Sequence, residues 1–155
     1  MHEDLMRDAE EALRLNRTIR LLQPRFFKVA YARQKVSLPQ YSVLAVLQEH
    51  GESTMGQLAE SLGITMGAVT SLVDRLIHLG YVERERSTED RRVVKVRLTS
   101  AGGDMLQYLL DHGKQLAADM LEDVSPEDRR VFLRVQQNMV EKFAEVIKRL
   151  EKDGP

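Results

Sequence analysis

Residues 81–102, YVERERSTEDRRVVKVRLTSAG, break the rhythm of the chain around them. On either side apolar residues recur three and four apart, the spacing of one helical face; here the period drops to two, the spacing of a half-buried strand. Residues 81–87 alternate, and 93–99 alternate again, with Val94, Val96 and Leu98 on one face and Val93, Lys95 and Arg97 on the other. The polar run STEDR at 87–91 reads as the turn between two strands of a charged hairpin. Between residues 84 and 97 lie Arg84, Arg86, Arg91, Arg92, Lys95 and Arg97, against Glu85, Glu89 and Asp90. The whole chain carries a formal charge of only -1, so any basic surface is local. Under salt screening, nearby charges decide the field that a phosphate meets.

Just before the hairpin stand two short helices. In TMGQLAESLG (54–63), Thr54 and Gln57 have capping-box spacing, Leu58, Ala59 and Leu62 face inward, and Gly63 is the stop. Only Ile64 separates it from Thr65, the cap of MGAVTSLVDRLIHLG (66–80), which buries Val69, Leu72, Val73 and Leu76 and ends at Gly80. Two short helices joined by a tight glycine turn form a helix-turn-helix. The outward face of the second is small and polar: Thr65, Gly67, Ala68, Thr70 and Ser71, with Arg75 a turn later. Small residues let a backbone approach a groove, hydroxyls reach bases or phosphates, and a helix N-terminus favours anions. A solvated face would carry the same residue types. The hairpin that follows favours a winged helix, with arginines at a tip that can enter the narrow minor groove.

Farther out the pattern is helical again. SLPQYSVLAVLQEHG (37–51) has Ser37 as cap, Pro39 in the first turn and Gly51 past the end. Residues 5–34 read as one long helix or a pair, with a kink or break expected just before Pro24. Thr99 or Ser100 caps a helix carrying Met105, Leu106, Leu109, Leu110, Leu116, Ala117, Met120 and Leu121. SPED (125–128) opens a last helix with the stripe Val131, Phe132, Val135, Met139, Phe143, Val146 and Ile147. Such stripes are wide for a small winged domain to cover, and a symmetric dimer is the commonest cover. The fold class is therefore mainly α with a small β-hairpin wing. Residues 37–99 are expected to form the DNA-binding domain, flanked by the helical segments 1–36 and 100–155, the expected dimerisation segments on the family resemblance given below.

The totals narrow the function classes. With 155 residues, 43% of them hydrophobic and 30% charged, the chain has an ordinary globular balance. It lacks cysteine, which removes thiolate catalysis, disulfides and cysteine zinc sites. No apolar run approaches the ~20 residues of a membrane helix, and the acidic start MHEDLMRDAEEALR is unlike a signal peptide; a cytoplasmic location is expected.

The order of elements and the words QLAESLGITMGAVTSLVDRLIHLGYVERERSTEDRRVVKVRLTSAG (57–102) resemble the MarR family of bacterial transcriptional regulators. They include the Asp-x-Arg of the wing, Asp90 and Arg92, and the Leu98, Thr99 and Gly102 that lead into the next helix. The resemblance implies a homodimer joined by its terminal helices and placing two winged lobes on a pseudo-palindromic double-stranded operator, most often as a repressor. Carried over, Thr65, Ala68, Thr70 and Ser71 face the major groove, Arg92 enters the minor groove, and Asp90 braces the wing through Arg75. The chain departs at Ser71, where many relatives carry a basic residue. In relatives, small anionic aromatics bind between the dimer helices and the winged lobe; Arg25, Phe27, Tyr31 and Tyr41 are the candidate lining here, and equally plausible as packing or surface residues.

Other classes fit less well. His2, His50, His78 and His112 are scattered, and no phosphate loop, nucleotide fingerprint or metalloprotease pair is present, so neither an enzyme nor a cofactor is expected. A metal-responsive regulator would need more than Asp104 and His112 on one helix. A winged helix that binds protein rather than DNA remains an alternative, distinguished by whether loss of Arg92 changes DNA affinity.

Overall fold

The computed structural model describes residues 2–86 and 94–153. Nine elements follow one another: α1 (His2–Ala30), α2 (Leu38–His50), β1 (Ser53–Thr54), α3 (Met55–Leu62), α4 (Met66–His78), β2 (Val82–Arg86), β3 (Val94–Leu98), α5 (Ser100–Met120) and α6 (Pro126–Asp153). Two compact units divide the chain, Met1–Leu110 and Asp111–Pro155.

In the first unit, the helix starts follow from local side-chain chemistry. Thr54 Oγ1 accepts from the Gln57 N–H at 3.2 Å while Gln57 Oε1 accepts from the Thr54 N–H at 2.8 Å, closing the expected capping box. Thr65 Oγ1 accepts from the Ala68 N–H at 3.3 Å at the start of α4. Between the two helices Gly63 takes φ 62°, ψ 34°, a left-handed conformation that a side chain resists, and its N–H bonds back to the carbonyls of Ala59 and Glu60. The tight turn of the helix-turn-helix therefore depends on this glycine.

Of the two expected alternatives the single long helix forms, with α1 running through Pro24 without a break. Proline removes one helical N–H and crowds the preceding turn, costing about 3 kcal/mol. Packing one turn further on offsets that cost: Phe27 is buried, with its ring centroid 4.3 Å from that of Tyr31 and 5.8 Å from that of Tyr41. The chain then turns through residues 31–35, where Lys35 adopts φ 55°. Tyr31, also buried, donates its hydroxyl to the Leu109 carbonyl of α5 at 3.3 Å.

One apolar cluster unites this unit. Val43, Leu44 and Leu47 of α2, Leu58 of α3, Val69, Val73 and Leu76 of α4, Val82 of β2, Val96 of β3 and Leu106 of α5 are all buried in it. Each such side chain stabilises the unit by roughly 1.5–3 kcal/mol on leaving water. The sheet has order β1-β3-β2, antiparallel throughout, with Val82 opposite Leu98 and Arg86 opposite Val94. The hairpin is as expected, whereas β1, which pairs Ser53 with Val96 and Thr54 with Lys95, was not foreseen.

The root of the hairpin is clamped to the start of α5. The Thr99 N–H donates to the Tyr81 carbonyl at 3.1 Å and the Thr99 hydroxyl to the Gly80 carbonyl at 2.7 Å. Thr99 Oγ1 in turn accepts from the Gly102 N–H at 3.0 Å, so Thr99 rather than Ser100 caps α5. Gly102 is needed there: a Cβ on it would lie 1.9 Å from the Tyr81 carbonyl oxygen.

In the second unit Ser125 and Asp128 open α6, with the Asp128 N–H donating to Ser125 Oγ at 3.1 Å and the Ser125 hydroxyl to Asp128 Oδ2 at 2.7 Å. The α6 stripe is exposed from Val131 to Ile147, Phe143 to 60%. In the first unit, α1 likewise exposes Leu5, Leu13, Ile19 and Leu22. No helix among the described residues is long and apolar enough to cross a membrane.

Candidate nucleic-acid interface

Helix α4 separates its residues by face. Val69, Val73 and Leu76 go to the core, and Thr65, Gly67, Ala68, Thr70 and Ser71 are all exposed at its N-terminal end. A Cβ built on Gly67 meets nothing within 4 Å, so this face is open above the backbone. Two of its three hydroxyls already donate inward: Thr70 Oγ1 to the Met66 carbonyl at 2.8 Å and Ser71 Oγ to the Gly67 carbonyl at 3.1 Å. With their protons used inward, they present lone pairs outward and suit a base-edge donor such as an amino group.

Three basic residues of the hairpin are paired with acidic neighbours. Arg84 of β2 meets Asp74 of α4 at 2.6 Å, Lys95 of β3 meets Glu52 at 2.5 Å, and Arg97 lies 3.0 Å from both Glu83 and Glu85. Exposed pairs of this kind contribute about 0–1 kcal/mol each, so their value is orientation rather than stability. The Asp74–Arg84 pair joins α4 to β2 directly. Arg75 and Arg86 enter none of these pairs, and both are exposed. Asp90, Arg91 and Arg92 lie outside the described residues, as does any link from Asp90 to Arg75.

A cavity of about 650 Å³ opens beside α4. Its walls come from the end of α1, the 31–36 turn, the start of α2 and the inner edge of α4, all within the first unit. Of the four residues suggested for an effector, Phe27 and Tyr31 line it; Tyr41 stands behind Phe27, and the exposed Arg25 is not part of the wall. Burial, reinforced by the phenols of Tyr41 and Tyr108, pushes the Tyr31 phenol up from its ordinary value. Sequence reasoning missed Lys28, Lys35, Gln40, Leu72 and Arg75 in this lining. Gln40 carried a signal, as the third residue after Ser37, but one that points to a helix cap. Its Oε1 does accept from the Ser37 N–H at 2.8 Å. No group of three or more metal-ligating side chains occurs among the described residues.

A helix-turn-helix whose second helix presents small residues, followed by a paired basic hairpin, defines the class of winged helix-turn-helix proteins. Residues 36–94 match the model of the MarR family. The transcriptional repressor MdtR of Bacillus subtilis is 30% identical over 126 residues, covering 81% of this chain and 79% of MdtR. The regulator YfiV of the same organism is 37% identical over 95 residues, 61% of this chain, which spans only 59% of YfiV. Among solved structures, a MarR family protein from Bacillus stearothermophilus superposes with TM-score 0.76 at 27% identity, covering 93% of this chain and 99% of the other. The chain belongs to the MarR family of transcriptional regulators, and these relatives are regulators, not enzymes.

Proposed function

We propose that the protein is a homodimeric repressor that binds a pseudo-palindromic double-stranded operator and is released from it by a small anionic aromatic effector. The observation that carries the reading is the open N-terminal face of α4, from Thr65 to Ser71, held beside β2 by the Asp74–Arg84 pair. A helix N-terminus with no bulky side chain above its backbone fits the major groove and attracts phosphate. Arg75 and Arg86 supply charge near it, and the hairpin arginines Arg91 and Arg92 would extend the contact into the minor groove.

Dimerisation is supported by the apolar faces of α1 and α6, which expose Leu13, Leu22, Phe132 and Phe143 among others. Residues 1–36 and 100–155 would then form the dimer domain around the DNA-binding residues 37–99. A two-fold protein requires a two-fold site, with half-sites about one helical turn apart. The effector reading rests on the cavity beside α4, where aromatic Phe27 and Tyr31 meet the cations Lys28, Lys35 and Arg75. Because Leu72 and Arg75 belong to α4, a ligand there bears directly on the helix that faces DNA. Light scattering gives the test of assembly, with two chains expected per particle and two per bound duplex. A monomer that binds DNA one chain at a time would refute it.

A further inference from the structure

We propose that Met66 reads the C5 methyl group of a thymine in each half-site; the inference rests on the reading of the N-terminal face of α4 as the DNA-binding surface. Among the described residues of 37–99, the large apolar side chains left exposed are Ile64, Met66 and Val94. The others on the described surface belong to α1, α5 or α6, the helices whose apolar faces a second copy would cover. Ile64 and Val94, each 37% exposed, have reasons in the fold. The Ile64 N–H donates to the Ala59 carbonyl at 3.1 Å, closing the turn after α3, and an apolar residue at that place commonly packs back on the helix it ends. Val94 opens β3 opposite Arg86 in the hairpin. Met66 has no such reason. It is the first residue of α4, 52% exposed, between the cap Thr65 and the bare backbone of Gly67.

Its place on the helix gives the side chain a target. Residues four apart share a helical face, so Met66, Thr70 and Asp74 form one row along α4. The Thr70 hydroxyl donates to the Met66 carbonyl at 2.8 Å, and Asp74 ends the row at its 2.6 Å pair with Arg84 of the hairpin. The row therefore runs from the tip of α4 to the hairpin, along the surface proposed for DNA. In the major groove the base pairs show hydrogen-bond donors and acceptors, and among unmodified bases thymine alone adds an apolar group, its C5 methyl. The hydroxyls of Thr65, Thr70 and Ser71 suit the hydrogen-bonding edges. A thioether does not, since it never donates and accepts only weakly. Its flexible, polarizable chain instead fits an apolar contact of irregular shape. Water leaves the exposed Met66 side chain only when the groove closes on it, so affinity rather than folding depends on this residue.

The test uses the full-length protein and the duplex that selection from a random pool enriches. Each thymine of a half-site, with its symmetry mate, is replaced in turn by deoxyuridine, which removes the C5 methyl and keeps every hydrogen-bonding group of the pair. For the parent, at least one thymine position should respond, affinity falling about fourfold per half-site, the worth of one methyl withdrawn from water. Met66→Ala should bind the unmodified duplex more weakly and be indifferent to deoxyuridine at that position, while keeping the parent's response elsewhere. Met66→Leu, apolar and of similar volume, should keep most of the discrimination. In the parent labelled with methyl-13C methionine, the Met66 methyl resonance, identified by its absence from both variants, should shift on the thymine duplex. On the deoxyuridine duplex it should return toward its free position. A half-site without thymine, no position that responds, or an equal response in parent and Met66→Ala overturns the proposal. Weaker binding by Met66→Ala with unaltered responses to deoxyuridine overturns it too, and assigns the side chain to sugar or phosphate. Should Met66→Ala fail to fold in a thermal melt, Met66→Leu identifies the resonance and the parent's shift decides. Selection that enriches no duplex refutes the DNA reading, and this inference falls with it; an enriched duplex indifferent to every deoxyuridine refutes the role of Met66 alone.

Discussion

Gly102→Ala tests the clamp between the hairpin and α5. The new Cβ would sit 1.9 Å from the Tyr81 carbonyl oxygen and 2.8 Å from its carbon, whereas ordinary contacts begin near 3.4 Å. Roughly 1.5 Å of movement must be found, and the obstacle is backbone rather than a side chain that can swing aside. Separation of the two segments strains the Thr99 bonds to Tyr81 and Gly80, each worth about 1 kcal/mol net. Overpacking adds about 1–3 kcal/mol, and alanine's better helix propensity returns about 1 kcal/mol. The expected net loss is about 2–4 kcal/mol, a fall of roughly 4–16 °C in melting midpoint for a chain of this size. The neighbour supplies the control. A Cβ on Gly103 meets nothing within 4 Å, so Gly103→Ala should leave the midpoint unchanged or raise it slightly. Thermal melts followed by circular dichroism decide the matter. Gly102→Ala melting like the parent, or both variants falling equally, would refute the reasoning.

Arg92→Ala should weaken DNA binding by roughly 1–3 kcal/mol in an anisotropy titration while leaving the melt unchanged, as for loss of one charged minor-groove contact. Asp74→Arg and Arg84→Asp should each weaken operator binding, and the double reversal should recover much of the loss; a double variant as weak as the worse single would show that the pair does not orient the hairpin. Thr70→Ala should change which half-site bases are preferred more than it changes overall affinity, as read by titration against single-base operator variants. Removal of residues 126–155 should leave an unfolded or aggregating chain, and a soluble monomeric truncation that binds DNA would contradict the assigned dimer surface.

The parts of the fold written in local chemistry were legible. Thr54, Gln57, Gly63 and Thr65 fix the two helix boundaries within a dozen residues, and the switch from helical to alternating spacing marks the hairpin. Strand β1 was not, because two residues carry no period and Thr54 already served as a cap. Pro24 left one helix and a pair both open because propensity is local, whereas the packing of Phe27 beyond it involves Tyr41, in another helix. The exposed face of α4, Thr65 to Ser71, was legible as a face because a face is a property of spacing. The ion pairs of Arg84 and Lys95 were hidden, because Asp74 and Glu52 become their partners only once α4, β1 and the sheet are assembled. The cavity is hidden for the same reason: its walls join residues 24–40 to Leu72 and Arg75, which no short-range pattern connects.

The most direct test of the central claim is selection of bound duplexes from a random pool by the full-length protein at physiological salt. Non-specific phosphate binding is weak there, so enrichment reports base and shape readout. The account predicts an enriched motif of two inverted half-sites with centres about one helical turn apart. Recovery of the starting pool without enrichment, or of a single half-site with no inverted partner, would contradict it.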